Sequence, residues 1–243
     1  MKKYLLSTSL LLAAPLTASA ALIWASPMDG DATATVGPNG VANGSPVPTA
    51  DRNGNAGGAV LFNGTDSFYN LGIVAGSLNA GTMAAWVRTD DHGGERGAIA
   101  MGVSGGGTAN YFTVQDTGSG RWRSDVDDGA LRRDVLSDNP VVPTGTWQHL
   151  AVTFAIGGNL TMYIDGVPQA DVQALGGLTI TPLGDWLVGA ERTNARFFSG
   201  AIDDVRLYDN ELSAAEVAAL VPEPSTGILF GLAGAALVLR RRR

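Results

Sequence analysis

The chain has 243 residues, 45% of them hydrophobic, no cysteine and a formal charge of −7. Between Ala21 and Leu220 there are 22 acidic residues against 10 arginines, which speaks against a nucleic-acid partner because phosphate binding needs clustered basic groups. The missing thiols exclude a disulfide framework, thiol catalysis and a cysteine-ligated zinc site, so core packing has to hold the fold.

In chain order, Met1-Lys2-Lys3 is a basic start, Tyr4 to Leu16 is mostly apolar, and Ala18-Ser19-Ala20 fits a small-residue cleavage site before Ala21. Residues 1–20 therefore read as a secretory signal peptide cut between Ala20 and Ala21, and the protein as exported. Lys2 and Lys3 are the only lysines. Residues 21–220 suffice for one domain with a substantial core. Within them, Asp29 to Gly58 is rich in Gly, Asn, Pro, Asp and Thr, with almost nothing large and apolar. Such a stretch reads as either a long ordered loop or a flexible one, uncommon inside a compact domain unless functional or tied down, and a metal ion is one such tether.

From Gly58 onward, short β-branched or aromatic runs alternate with Gly, Asn and Asp clusters, the pattern of an all-β sandwich or barrel. The predicted strands are Gly58–Phe62, Ser67–Gly72, Thr82–Thr89, Ala98–Val103, Tyr111–Asp116, Gly120–Val126, Trp147–Ala155, Asn159–Ile164, Asp185–Gly189 and Gly200–Tyr208. Gly157-Gly158 and Asp165-Gly166 each signal a hairpin turn. Ser213 and Glu216 form a capping box for a short helix that Pro222 ends, placed to close the domain against the sandwich.

The chain closes on Pro222-Glu223-Pro224, an uncharged apolar segment at 227–239 and four arginines at 240–243. A helix of that apolar length spans roughly 20 Å, short of the ~30 Å hydrocarbon core unless Ser225 and Thr226 join it and the arginines snorkel. Residues 221–243 resemble the PEP-CTERM sorting signal of Gram-negative bacteria. The resemblance implies an exosortase-type transpeptidase as partner, acting near Pro222, Glu223 and Pro224. It also implies a protein held in the inner membrane by this segment, then placed at the cell surface or in the extracellular matrix.

A second resemblance rests on three runs: Gly145-Thr146-Trp147-Gln148-His149-Leu150-Ala151-Val152-Thr153-Phe154, Leu160 to Gly166, and Phe197 to Tyr208. With Leu212-Ser213-Ala214-Ala215-Glu216-Val217, and Gly58 to Gly64 and Gly81 to Val87 upstream, they are similar to the LamG-like domain, a jelly roll of the concanavalin A-like lectin/glucanase superfamily. The similarity implies two antiparallel sheets packed face to face. It leaves function open, because that fold hosts lectins, adhesion modules, structural domains and glycosidases.

The same resemblance implies one structural Ca2+ between an early loop and the closing strand. Asp29 and Asp31 at one end and Asp203 and Asp204 at the other are the expected ligands, since calcium takes carboxylate and carbonyl oxygens. Alternation sends Asp203 and Asp204 to opposite faces, so only one binds unless a bulge intervenes. The Glu-x-Asp-x-x-Glu strand of laminarinase-type enzymes is absent. Apart from the terminal turn and cap, only Glu95 and Glu191 remain, beside an Asp125, Asp127, Asp128 cluster with no marked partner element, so no catalytic residue is assigned. His149 is expected to make a structural hydrogen bond. Trp24, Trp86 and Trp147 are expected in the core. For Trp122 two readings stay open, a sugar-stacking platform or a core contact. Tyr111, Trp122 and Arg132, on neighbouring strands, are the candidate ligand-binding residues.

These observations lead to the expectation of an exported, non-enzymatic β-sandwich sorted to the envelope, binding or building at the surface or in exopolysaccharide matrix. The alternatives are a carbohydrate-recognising lectin module, and a glycosidase or polysaccharide lyase with an unrecognised acid pair.

Overall fold

The computed structural model describes residues 20–221 apart from 77, 104–110, 129–130, 140–141, 179–183 and 193–194; the signal segment 1–19, Pro222-Glu223-Pro224, the apolar segment and the arginine tail lie outside the described residues. In chain order the strands are β1 (Leu22–Ser26), β2 (Val41–Asn43), β3 (Val47–Thr49), β4 (Ala59–Asn63), β5 (Phe68–Gly72), β6 (Ala80–Thr89), β7 (Glu95–Val103), β8 (Tyr111–Thr117) and β9 (Trp122–Asp127). There follow β10 (Arg132–Leu136), β11 (Gln148–Ala155), β12 (Asn159–Ile164), β13 (Val167–Ala174), β14 (Asp185–Val188), β15 (Ala190–Arg192), β16 (Ala195–Phe197), β17 (Ser199–Tyr208) and one helix, α1 (Ala214–Ala219).

They make a two-sheet sandwich. The first sheet has eight strands in the order β13-β12-β11-β6-β17-β4-β3, with β1 also paired to β17. The second has nine, in the order β10-β9-β8-β7-β14-β5-β2, with β15 and β16 beside β7. Each predicted strand is present, with ends moved by up to three residues. The early Gly- and Asn-rich segment is ordered too: β2 pairs β5 in the second sheet and β3 pairs β4 in the first, so this stretch crosses between the sheets along one edge. Three-residue strands with exposed side chains carry no hydrophobic alternation by which a sequence could announce them.

Pleat alternation decides what faces inward. Met83, Ala85 and Val87 of β6, Leu150, Val152 and Phe154 of β11, and Leu160 and Met162 of β12 meet Ile99, Val114, Trp122, Val126, Val135, Trp186 and Val188 of the opposing sheet in one core. Its largest fully buried side chains include Trp24, Trp122, Trp186, Phe62, Phe154 and Phe198. Each such side chain contributes about 1.5–3 kcal/mol by leaving water. Trp86 and Trp147 are only partly buried and lie outside this core, contrary to expectation. Trp86 belongs to an apolar run because β6 is central and covered on both faces; its neighbours Ala85 and Val87 take the inward positions.

The outward face of the first sheet is covered at one end by α1. Ser213 and Glu216 make the expected capping box, and the wholly buried Val217 packs with Ala84, Ala151, Tyr163 and Leu212. The two sheets are joined along one edge by side chains. The Ala170 N–H donates to the Asp138 carboxylate at 3.0 Å, the Asp138 N–H to Gln169 Oε1 at 2.9 Å and the Leu136 N–H to Asp171 Oδ2 at 2.9 Å. These bonds also blunt β13, an edge strand otherwise open to pairing with another chain.

Turn chemistry follows the residues. Asp165 and Gly166 both have left-handed φ, 51° and 78°, as a two-residue hairpin requires. Gly189 has φ 89°, and a methyl group there would come within 2.3 Å of the Phe62 ring. Gly189→Ala is therefore expected to cost about 3 kcal/mol or more and lower Tm by at least roughly 6 °C, whereas Gly176→Ala, in open space, should stay within about 0.5 kcal/mol. Thermal unfolding of the two variants checks it; equal effects would mean that Phe62 does not enforce this glycine.

Candidate functional site

On β9, Trp122, Ser124 and Val126 are buried, while Arg123, Asp125 and Asp127 take the alternate positions on the outward side of the second sheet. Gln115 of β8 stands across from Arg123 and donates its amide to Asp125 Oδ2. Around them a chain of ion pairs runs over the sheet. Arg132 of β10 reaches Asp125 at 2.8 Å, Arg123 reaches Asp125 at 3.1 Å and Glu95 at 2.8 Å, and Arg196 reaches Glu95 and Glu191 at 2.7 Å each. Asp125 and Glu191 are buried at 0% and 1% exposure. The cost of burying a carboxylate is met by pairing it with guanidinium groups that present several N–H donors.

Burial pushes the Asp125 carboxyl upward, against the pull of Arg132 and Arg123. Burial also acts upward on Glu95, but Arg123 and Arg196 hold its carboxyl below the usual range. A general acid has to deliver a proton near neutral pH. Here Asp125, its carboxyl raised by burial, is clasped by two guanidinium groups and an amide. Gln115 Oε1 is left buried with no hydrogen-bond partner among the described residues.

Further along the same face, Val41 and Asn43 of β2, Asn70 and Gly72 of β5, and Asp185 of β14 line a cleft of about 440 Å3 with Pro38, Asn39 and Leu71. Asn70 donates to Asp185 Oδ2 at 2.6 Å, and its own Oδ1 receives the Gly72 N–H at 2.7 Å. Between cleft and ion-pair chain sits a small apolar saddle of Phe68, Ala100, Leu187 and Ala190, with Phe197 packed against it.

Of the candidate binding residues, Arg132 belongs to this face and Trp122 does not. Trp122 is 1% exposed, donates its indole N–H to Gln148 Oε1 at 3.0 Å and lies 6.3 Å from the Phe198 ring, so it is a core contact and not a stacking platform. Tyr111 pairs with Asp127 through the backbone; its side chain lies outside the described residues. Sequence reasoning missed Gln115, Arg123 and Arg196 as partners of the acids. Alternation on β9 could have placed Arg123 beside Asp125, but the contacts from other strands depend on register.

The four aspartates expected around Ca2+ do not form a cage. Asp29 and Asp31 are exposed, and Asp31 Oδ1 accepts the Thr33 N–H at 2.7 Å in a local turn. In β17 a bulge between Asp203 and Arg206, with Asp204 at φ 53°, overrides alternation and turns both carboxylates to the same side. There they grip Arg52, Nη1 to Asp203 at 2.5 Å and Nη2 to Asp204 at 3.0 Å. The guanidinium also stacks 4.8 Å from the Trp86 ring. Arg52 is the one cation between Asp29 and Gly58, the signal that could have found it. The early segment is thus tethered by an arginine. Among the described residues no group of three or more His, Asp or Glu side chains is arranged to hold a metal ion.

Beside this clamp His149 is 3% exposed, edge-on to Trp86 at 5.4 Å, with Nδ1 unpartnered, contrary to the expected hydrogen bond. Burial, then the charges of Arg206 and Arg52, lower its pKa from 6.5 to about 4. Burial raises Asp203 from 3.8 to about 6 against the pull of Arg52.

Residues 63–218 match the family model described as the concanavalin A-like lectin/glucanases superfamily, and residues 220–243 match the PEP-CTERM protein-sorting motif. No curated protein matches the chain in sequence. Domain 4 of AbnA, a GH43 extracellular arabinanase from Geobacillus stearothermophilus in complex with arabinotriose, aligns with TM-score 0.70 and 19% identity over 84% of this chain and 99% of that one. The binding domain of Paraclostridial Mosquitocidal Protein 1 aligns with TM-score 0.66 and 14% identity over 82% of this chain and 51% of that one. The CBM40 of the Ruminococcus gnavus IT-sialidase, bound to α2,3-sialyllactose, aligns with TM-score 0.50 and 18% identity over 60% and 84%. At such identities the likeness is one of fold.

Two outcomes follow for the clamp. Arg52→Ala leaves the buried Asp203 without its cation and is expected to cost about 2–4 kcal/mol, roughly 5–15 °C in Tm, while millimolar Ca2+ or EDTA leaves the wild-type Tm unchanged within about 1 °C. A Ca2+-dependent rise of about 5–10 °C in the melting curve would restore the cation at Asp29 and Asp203-Asp204. His149 is neutral in the fold down to about pH 4 but protonates near 6.5 when unfolded, so its contribution is present above that window and lost as pH falls through it. Urea unfolding at stepped pH should show His149→Phe gaining on wild type by about 3 kcal/mol between pH 6.5 and 4. A constant difference would mean that His149 titrates normally.

Proposed function

This chain belongs to the concanavalin A-like lectin/glucanases superfamily and ends in a PEP-CTERM sorting motif, and from that premise we propose that it is an exported glycan-binding module displayed at the cell envelope. The observation that carries the reading is the outward face of the second sheet. A cleft of about 440 Å3 with three asparagines and Asp185 around Val41 and Leu71 shares that face with the ion-pair chain centred on Asp125. Amide and carboxylate groups on a partly apolar floor are what a sugar, apolar on its ring faces and hydroxyl-rich at its edge, requires. Two of the structural relatives hold oligosaccharides, arabinotriose and sialyllactose.

The sorting motif indicates export and sorting to the envelope. Its location supports display. Helix α1 packs on the outward face of the first sheet, and Val221 leaves it beside Gly166 of the β12–β13 turn. Val221, the last described residue, thus lies on the layer opposite the cleft, and in this reading the proposed glycan face is turned away from the membrane. In this reading an exosortase-type transpeptidase acts at Pro222-Glu223-Pro224, and the sandwich reaches the surface or matrix of a Gram-negative cell. Among the described residues no helix is long and apolar enough to cross a membrane.

Titration calorimetry with arabinotriose, sialyllactose and the host's own exopolysaccharide tests the reading. Binding should weaken about tenfold in Asn70→Ala and in Asp185→Ala, the loss of one or two hydrogen bonds to hydroxyls, while reducing-sugar and unsaturated-product assays stay blank. Turnover abolished by Asp125→Asn or Glu191→Gln would establish the enzymatic alternative. Absence of binding to every glycan would reject the module.

A further inference from the structure

We propose that Asp209 is the receiving site for the amino terminus that signal-peptide removal creates at Ala21. The inference rests on cleavage between Ala20 and Ala21 and is independent of the glycan-binding reading. The Ala21 N–H donates to Asp209 Oδ1 at 2.8 Å, and the Asp209 N–H returns to the Ala21 carbonyl at 3.1 Å. This reciprocal pair sits immediately beyond the β1–β17 ladder, whose register sets Leu22 opposite Tyr208.

The turn that carries Asp209 is also held by contacts that do not involve Ala21. Thr82, 1% exposed, donates its hydroxyl to the Asn210 carbonyl at 2.9 Å and accepts the Leu212 N–H at 2.9 Å. The turn after β17 is thereby pinned to central strand β6, and the Asp209 carboxylate points at a nitrogen that changes its charge on processing. In the precursor that nitrogen is a neutral amide. When a signal peptidase directs water onto the Ala20 carbonyl carbon, the C–N bond breaks, Ala20 departs as a carboxylate and the Ala21 nitrogen, taking up a proton, becomes an ammonium. The bond to Asp209 then changes from a neutral-donor hydrogen bond into a charge-assisted ion pair, the stronger kind.

The same cut alters the neighbouring surface. Ala20, Tyr208 and Leu220 all pack against the small cluster of Ala84, Ala151, Tyr163, Leu212 and Val217. Loss of Ala20 uncovers part of that cluster beside Leu220, where the match to the sorting motif begins. Ala20 and Leu220 therefore lie at one corner of the sandwich, on the layer opposite the proposed glycan face. With Lys2 and Lys3 removed, the Ala21 ammonium is also the chain's only primary amine.

A single amine can be followed without interference from lysines. The full-length chain is exported from a Gram-negative host, recovered from its membranes and read from its amino terminus, then treated with limiting acetic anhydride near neutral pH. Acetylation of Ala21, followed by mass spectrometry, should be about two- to fivefold slower in wild type than in Asp209→Asn. Asp209→Glu should fall between them, and the gap should close in about 1 M salt and in denaturant. The amide introduced by Asp209→Asn keeps an acceptor for the N–H, and matching melting curves would confirm that the variants fold. Equal native rates in wild type and Asp209→Asn would overturn the proposal, as would an amino terminus other than Ala21. Glycan binding by Asp209→Asn reports separately on the function proposed above.

Discussion

Two inward sheet faces closing on Trp24, Trp122, Trp186, Phe62, Phe154 and Phe198 are the constraint on which everything else in this molecule depends. Without disulfides, that dry layer has to supply the stability, and it does so by committing every second residue of the long strands to the interior. The commitment leaves two outward faces. Each is handled differently, and the difference separates the parts of the molecule that hold it together from the part available for binding.

The first outward face is used up by the chain itself. Helix α1 covers one end with Val217, and Arg52 covers part of the rest by lying over Trp86 and joining Asp203 to Asp204. An arginine and a calcium ion answer the same need, two carboxylates forced together by a bulge, but by different chemistry. A divalent ion needs six or more oxygens in a shell, whereas a planar guanidinium satisfies two carboxylates with its own forked donors. Because Arg52 sits on the early segment, that segment is fixed as a consequence of neutralising the pair. The buried, unprotonated His149 beside it fits the same local field, since a second cation close to Arg52 and Arg206 would be repelled.

The second outward face carries polar groups without a covering helix. Its acids are arranged in alternation with arginines, so that burial of Asp125 and Glu191 is compensated and the surface stays rigid. In the proposed glycan-binding reading, such a polar face beside a cleft loses little ordering entropy when a flexible polymer settles on it. Ala20 and Leu220, near the two ends of the described residues, pack on the other layer, away from the cleft.

The residues alone determined the class of fold, most strand positions, the two hairpin turns, the capped helix and the sorting signal, because each is a local pattern: a period of two, a pair of turn residues, an ordered string of motifs. They did not reveal β2, β3, β15 and β16, which at three residues are too short for periodicity, nor β1 and β10. They misplaced Trp86, because a strand covered on both sides loses its alternation. They also treated Asp203 and Asp204 as facing apart, because a bulge is set by neighbouring strands and not by the two residues themselves. Only the tertiary structure decided that Arg52 is the partner of those acids, 151 and 152 positions distant in sequence. It likewise decided that Trp122 faces the core while Asp125, three residues on, meets arginines from the same strand, the next strand and, through Glu95, from β16. Such contacts depend on register between strands far apart in the chain, and a one-residue shift in pairing would exchange every one of them.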